Sequence, residues 1–235
     1  MVVTTPRQQG KSVLMLAVLV HRMLWARHQR VLFGAQSRLV ARSRLLDSWW
    51  PLVRRSRLRA LFSVSRGTGM EALRCSNGSM LTLLSSDESA GHGESIDLAV
   101  LDECWSHDSS TELAVRPTLL TRPSSQLWLV STMGHERSVW WHEKCRAGRT
   151  AATSGLEGTC YFEWSADPAA DPGDPETWRS CMPALGVTCD ERKVAKDLAA
   201  MPPAEFKRCY LNLMPEEADA GWRVFSRELF EEMTR

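Results

Sequence analysis

With 235 residues the chain can bury one substantial core, or one core with a small appended unit. An apolar share of 43% and a charged share of 24% are those of an ordinary globular protein, and the longest apolar run, residues 13–20, stops at His21, too short to cross a bilayer. The first residues lack the basic, apolar and small-residue regions of a secretory signal, and the seven cysteines contain no C-x-x-C pair, which argues for reduced, mostly buried thiols rather than a disulfide framework or a zinc site. A net charge of +1 conceals a polarity: residues 1–74 hold 14 Lys and Arg against two acids, Asp47 and Glu71, and the remainder holds 15 against 26. The basic third is either a set of solvated helix faces or a surface that meets a polyanion such as DNA.

In chain order, residues 1–5 form a short β-branched run, 12–30 have helical character, 30–34 turn apolar again, and 37–50 read as a second helix that Pro51 ends. A hairpin is expected from residues 70–75 and 80–84 about the Asn77-Gly78 turn. Residues 96–101 are a continuous apolar strand of the kind buried on both faces, 111–121 suit a helix, and 127–131 suit another buried strand. This alternation predicts an α/β fold with a mostly parallel sheet flanked by helices. After about residue 150 the character changes. One strand-like run, 159–164, leads through a Pro/Asp-rich loop into three short helical segments at 176–182, 190–201 and 204–212. The expected division is a core over 1–150, a small, mainly helical unit over 151–215 and a linker over 216–235.

Three segments carry chemistry. Thr5-Pro6-Arg7-Gln8-Gln9-Gly10-Lys11-Ser12 fits a P-loop, except that Thr5 stands where the first glycine is expected. Gly10 lets the backbone approach a phosphate, the N–H groups of the loop and of the first helical turn cradle it, Lys11 reaches the β- and γ-phosphates, and the Ser12 hydroxyl ligates Mg²⁺. Alone, Gly-Lys-Ser also suits a tight strand-to-helix turn with an exposed lysine. The second segment, an apolar strand ending in Asp102-Glu103, is what a Walker B element requires, with Asp102 in the Mg²⁺ shell and Glu103 orienting and deprotonating the attacking water. Its position downstream of a P-loop in an alternating chain favours that reading over a solvated acidic turn. The third, a buried strand ending in Ser131-Thr132-Met133-Gly134, places hydroxyls where P-loop motors sense the γ-phosphate and pass its state onward.

Together these residues resemble the large terminase subunit of tailed phages. That family's P-loop also lacks the first glycine and carries Arg-Gln before Gly-Lys-Ser/Thr, and Ser131-Thr132-Met133-Gly134 is similar to its coupling motif. The similarity continues through Trp164–Asp167, Trp178, Pro183–Gly186, Met201–Phe206 and the tail around Trp222. The resemblance implies a RecA/ASCE-like P-loop ATPase that uses ATP and Mg²⁺. It implies a motor ring at the procapsid portal in the host cytoplasm, with double-stranded DNA, the portal protein and the small terminase subunit as partners and no membrane. It also implies that Arg7 acts in cis on the γ-phosphate, although Arg7 could equally pair with an acid near the loop. Members of the family usually carry an upstream segment that helps to bind adenine and a nuclease domain with an aspartate cluster. Neither is visible here, and the acids Glu228, Glu231 and Glu232 suit a solvated helix, so no nuclease activity is expected and a fragment or split gene product is. A RecA-like helicase would want further motifs, a P-loop metabolic kinase a lid and substrate pocket, and a non-catalytic fragment no intact Lys11, Ser12, Asp102 and Glu103. The tryptophans are expected mostly in cores, His92 in a loop, and His107, His135 and His142 lack metal-binding spacing.

Overall fold

The computed structural model describes residues 1–84 and 95–215, so His92, Trp222 and the acids from 228 onward lie outside the described residues. The first strand, β1 (Val2–Thr4), is buried throughout and runs through the loop of residues 5–10 into α1 (Lys11–Trp25). Next come β2 (Arg30–Gly34), α2 (Arg38–Ser43) and, after a π-helical turn at Arg44–Trp49, α3 (Trp50–Arg55). Three strands follow, β3 (Phe62–Ser65), β4 (Ala72–Cys75) and β5 (Met80–Leu83), and then β6 (Leu98–Asp102), α4 (Ser109–Leu119), β7 (Gln126–Ser131), α5 (Val139–Ser154) and β8 (Tyr161–Glu163). The described chain closes with α6 (Pro175–Cys181), α7 (Glu191–Ala200) and α8 (Pro203–Tyr210).

All eight strands form one sheet in the order β3-β4-β5-β2-β6-β7-β1-β8. From β5 to β8 every neighbouring pair is parallel, and β3 and β4 join antiparallel at one edge. The Asn77-Gly78 hairpin forms as its sequence requires: Gly78 takes φ +86°, a value L-residues rarely adopt, and the Asn77 amide donates to the Met23 and Ala26 carbonyls at the end of α1. Residues of β6 are all buried, because helices cover both faces of the sheet. One apolar cluster joins α1, the α2–α3 segment and one sheet face around Met15, Leu19, Phe33, Leu45 and Trp49. Another, on Leu101, Val115, Met133, Trp141 and Cys145, fills the α4–α5 side. A third, separate cluster gathers Trp178, Cys181, Val194, Phe206 and Leu211. All seven cysteines are free thiols and five are buried, and among the described residues no helix is long and apolar enough to cross a membrane.

One local expectation is corrected, and two elements were not anticipated. The second helix does not end at Pro51: the π turn puts the Trp50 N–H on the Leu45 carbonyl, and Pro51 falls in the first turn of α3, where no donor is needed. A 16-residue helix, α5, occupies residues for which the sequence gives no helical signal. Its buried residues are Trp141, His142, Cys145, Gly148 and Ala151, and beyond the first turn they carry too little apolar side chain to register as periodicity. The other is β3, a short edge strand with alternating serines that the sequence pattern leaves unassigned. Of the described tryptophans only Trp49, Trp141 and Trp178 are fully in cores, and Trp25 and Trp164 are exposed, at 71% and 38%.

Candidate nucleotide-binding site

The parallel register brings the three sequence segments to one edge of the sheet. Thr4 pairs with Ser131 and Asp102 with Val130, so the P-loop, Asp102-Glu103 and Ser131-Thr132 all follow the carboxyl ends of adjacent strands, where open α/β sheets bind ligands. Gln8 (φ +60°) and Gly10 (φ +85°) turn the loop, and Gly10 caps α1 without a side-chain hydrogen bond, so the helix opens on backbone N–H groups. A Cβ at Gly10 would meet nothing within 4 Å, so backbone conformation rather than crowding demands glycine there.

The Lys11 ammonium folds over the loop, donating to the Thr5 carbonyl (3.2 Å), the Pro6 carbonyl (2.9 Å) and Thr132 Oγ1 (2.7 Å). Burial lowers its pKa to about 8, against the opposing pull of Glu103 and Asp102. The Thr132 hydroxyl also donates to the Thr5 carbonyl (3.0 Å), and the Ser131 carbonyl accepts from the Thr5 N–H (3.2 Å), so the third segment touches both the loop and its lysine. Thr5 Oγ1 is buried and has no hydrogen-bond partner among the described residues.

Asp102 is 1% exposed at the end of β6. Burial, reinforced by the neighbouring Glu103 carboxylate, raises its pKa to about 6, while Arg44 and the Glu103 N–H oppose the rise. Arg44 donates to Ser12 Oγ at 2.5 Å and to Asp102 Oδ2 at 3.4 Å, so the hydroxyl and carboxylate expected to hold Mg²⁺ face one shared cation. Two oxygen donors, one from the start of α1 and one from the end of β6, already bridged by a positive charge, suit a hard divalent cation.

Glu103 sits in the left-handed region at φ +54°, and its Oε2 accepts from the Trp105 indole N–H at 2.6 Å. The Trp105 backbone N–H donates in turn to Ser131 Oγ (3.1 Å), and its ring meets His135 edge-on. Arg7 is exposed. Its N–H donates to the Cys209 carbonyl, and its charge acts on both Lys11 and Glu205. Gln9 ties the loop to the helical region, accepting from the Ala184 N–H (2.8 Å) beside a cavity of about 490 Å³ lined by Gly186–Arg192.

Every sequence-expected residue thus lies at this edge, from Thr5 to Ser12, Asp102, Glu103, Ser131 and Thr132. Four contributors were not anticipated: Arg44, Trp49, Trp105 and Asn212. Trp49 donates to the Ser12 carbonyl (3.0 Å), and the buried Asn212 accepts from the Met133 N–H (2.7 Å) while donating to Thr4 Oγ1 (2.9 Å) and the Trp164 carbonyl (3.0 Å). Only Trp105 carried a usable signal, its place two residues after Glu103. The others act over 32 to 208 residues of sequence.

No protein-family model and no curated protein sequence matches the chain. Solved structures do. The large terminase of bacteriophage HK97 superposes with a TM-score of 0.76 at 21% identity, over 91% of this chain and 46% of its own. The ATPase domain of the Thermus phage P74-26 large terminase gives 0.62 at 17% over 90% of this chain and 86% of its own. A large terminase from another thermophilic bacteriophage, in complex with ADP, gives 0.64 at 10% over 90% and 47%. The chain therefore has the fold of a large-terminase ATPase domain, a mostly parallel eight-stranded sheet flanked by helices. It spans about half the length of the HK97 protein and of the ADP-bound terminase.

Proposed function

We propose that the chain is the ATPase part of a phage terminase large subunit, an ATP-hydrolysing motor subunit that drives double-stranded viral DNA into a procapsid. The observation that carries this reading is the meeting of Lys11, Ser12, Asp102, Glu103 and Thr132 at one sheet edge, in a fold shared with terminase ATPase domains. One of the similar thermophilic-phage terminases was solved with ADP, and a nucleotide on this chain would lie along the loop Thr5–Ser12.

In this mechanism the loop and first-turn N–H groups orient the triphosphate, and Lys11 leaves its carbonyl partners to meet the β- and γ-phosphates. The phosphate charge then stabilises an ammonium that burial otherwise disfavours. Ser12 Oγ and Asp102 would hold Mg²⁺, which neutralises charge on the phosphates. The Glu103 carboxylate, held by Trp105, aligns a water and takes its proton. Arg7, exposed on the loop, turns toward the γ-phosphate as a cis-acting finger. Thr132, bonded to Lys11 in the present state, reports the change to β7 and to Asn212.

Exposed arginines 54, 55, 57 and 59 cluster at the end of α3 and just beyond it, and supply a surface for the DNA backbone. The portal protein, the small terminase subunit and further copies in a ring complete the proposed assembly in the host cytoplasm. ATP hydrolysis by the purified chain, with and without linear double-stranded DNA, tests the reading. Turnover that DNA stimulates and that Lys11→Ala and Glu103→Gln each abolish is the expected result. A DNA-indifferent turnover, or one untouched by either substitution, counts against a packaging motor.

A further inference from the structure

Arg44 is a charged residue at the site for which hydrolysis, as outlined above, has no use. It opens the π-helical turn between α2 and α3, one NH group donating to Ser12 Oγ and the other to Asp102 Oδ2. Those two oxygens belong to the groups that would hold the metal. Its side chain is 25% exposed against 2% for Asp102, so the guanidinium has an open path to water and the carboxylate has none. π-turns recur where a helix must aim a side chain at a functional site, and this one starts at Arg44 itself.

We propose that Arg44 is a built-in latch that fills the metal position of the nucleotide-free site, bridging Ser12 and Asp102, and that Mg²⁺ enters with nucleotide only by displacing it. This inference rests on the P-loop reading of Thr5–Ser12. A buried carboxylate next to Glu103 needs a counter-charge, and the guanidinium supplies one from within the chain. The Ser12 hydroxyl and the Asp102 oxygen cannot serve guanidinium and metal together at full strength, because both cations draw on the same lone pairs. Arriving phosphates bring their own negative charge. The balance then tips toward the metal, and the arginine swings into solvent. The latch keeps metal out of the empty site, so that Asp102 meets Mg²⁺ only when nucleotide is present.

The test is thermal unfolding of the full chain with and without MgCl₂, no nucleotide present, for wild type, Arg44→Gln and Arg44→Lys, beside calorimetric binding of Mg·ATP. Glutamine removes the charge. Lysine keeps it but is a point charge that cannot span both oxygens. The expected rise in Tm on adding MgCl₂ is largest for Arg44→Gln, at about 2 °C or more, smaller for Arg44→Lys and absent for wild type. If Arg44→Gln does not fold, the comparison of Arg44→Lys with wild type decides alone. Equal responses in all the proteins overturn the latch, as does a wild type that MgCl₂ alone stabilises. A roughly tenfold loss of Mg·ATP affinity in Arg44→Gln also overturns it, because the arginine would then be a nucleotide ligand. Failure of wild type to bind Mg·ATP at all refutes the underlying P-loop reading, separately from the latch.

Discussion

Asn212 offers the sharpest test of how the last helix is coupled to the site. Its side chain is fully buried, and its backbone sits in the left-handed region at φ +55°, which asparagine tolerates better than most residues. Replacing it with alanine strips the Met133 N–H, the Thr4 hydroxyl and the Trp164 carbonyl of a partner at once. Each buried polar group left without a partner costs roughly 1–3 kcal/mol, and the left-handed backbone adds about 1 kcal/mol for alanine. Allowing for relaxation at one of the three groups, the loss is about 3–7 kcal/mol, a large share of the roughly 5–15 kcal/mol that holds a typical domain together. Urea unfolding measures it as a fall in midpoint at unchanged slope. Asn212→Gly removes the backbone strain but not the lost hydrogen bonds, so it should recover only about 1 kcal/mol of the deficit. A loss below about 1 kcal/mol for Asn212→Ala, or glycine restoring full stability, would refute the claim that the amide network, rather than the turn, anchors this residue.

Other consequences are as specific. A Cβ at Gly148 would stand 2.3 Å from the Tyr161 ring, whose hydroxyl is held by Glu163, so Gly148→Ala should destabilise by about 2 kcal/mol in chemical denaturation despite its better helix propensity, and an alanine variant as stable as wild type contradicts the packing. Trp105→Phe removes the donor that fixes Glu103, and kcat for ATP should drop about ten- to a hundredfold with nucleotide affinity unchanged; an equal loss in binding would show that Trp105 acts elsewhere. The raised pKa of Asp102 means that the folded, nucleotide-free state holds its proton more tightly than the unfolded chain. The associated stability is complete below pH ~4 and lost as pH rises through about 6, worth ~3 kcal/mol at about 1.4 kcal/mol per pH unit. Asp102→Asn should therefore gain on wild type by that amount between pH ~4 and ~7, and a difference that stays flat or reverses sign removes Asp102 as the source.

What could be read in the sequence follows the range of the interactions. Gly-Lys-Ser after a β-branched run, an apolar strand ending in two carboxylates, and Asn77-Gly78 are local signals whose chemistry is complete within a few residues, and each lies where its pattern implies. The capping aspartates of α4, α6 and α7 act in the same way, since Asp108, Asp174 and Asp190 each accept from an N–H two residues on. α5 stayed hidden because, after Trp141 and His142 in its first turn, its inward face is built of Cys145, Gly148 and Ala151, residues that pack closely without an apolar signature. β3 stayed hidden because an edge strand needs only one buried face. Arg44 and Asn212 were beyond reach for a different reason. Their roles exist only once a π turn and the segment after α8 are folded onto the P-loop, and nothing in their neighbours along the chain encodes that meeting.

If Thr5–Ser12 is a nucleotide-binding loop with Lys11 at its centre, isothermal titration of Mg·ATP into wild type and into Lys11→Ala shows it most directly. The predicted result is one site per chain in wild type and an affinity at least about tenfold weaker without the ammonium, the equivalent of one charge-assisted contact of ~1.4 kcal/mol or more. Equal affinity in the two proteins, or no binding to wild type at millimolar nucleotide, would contradict it.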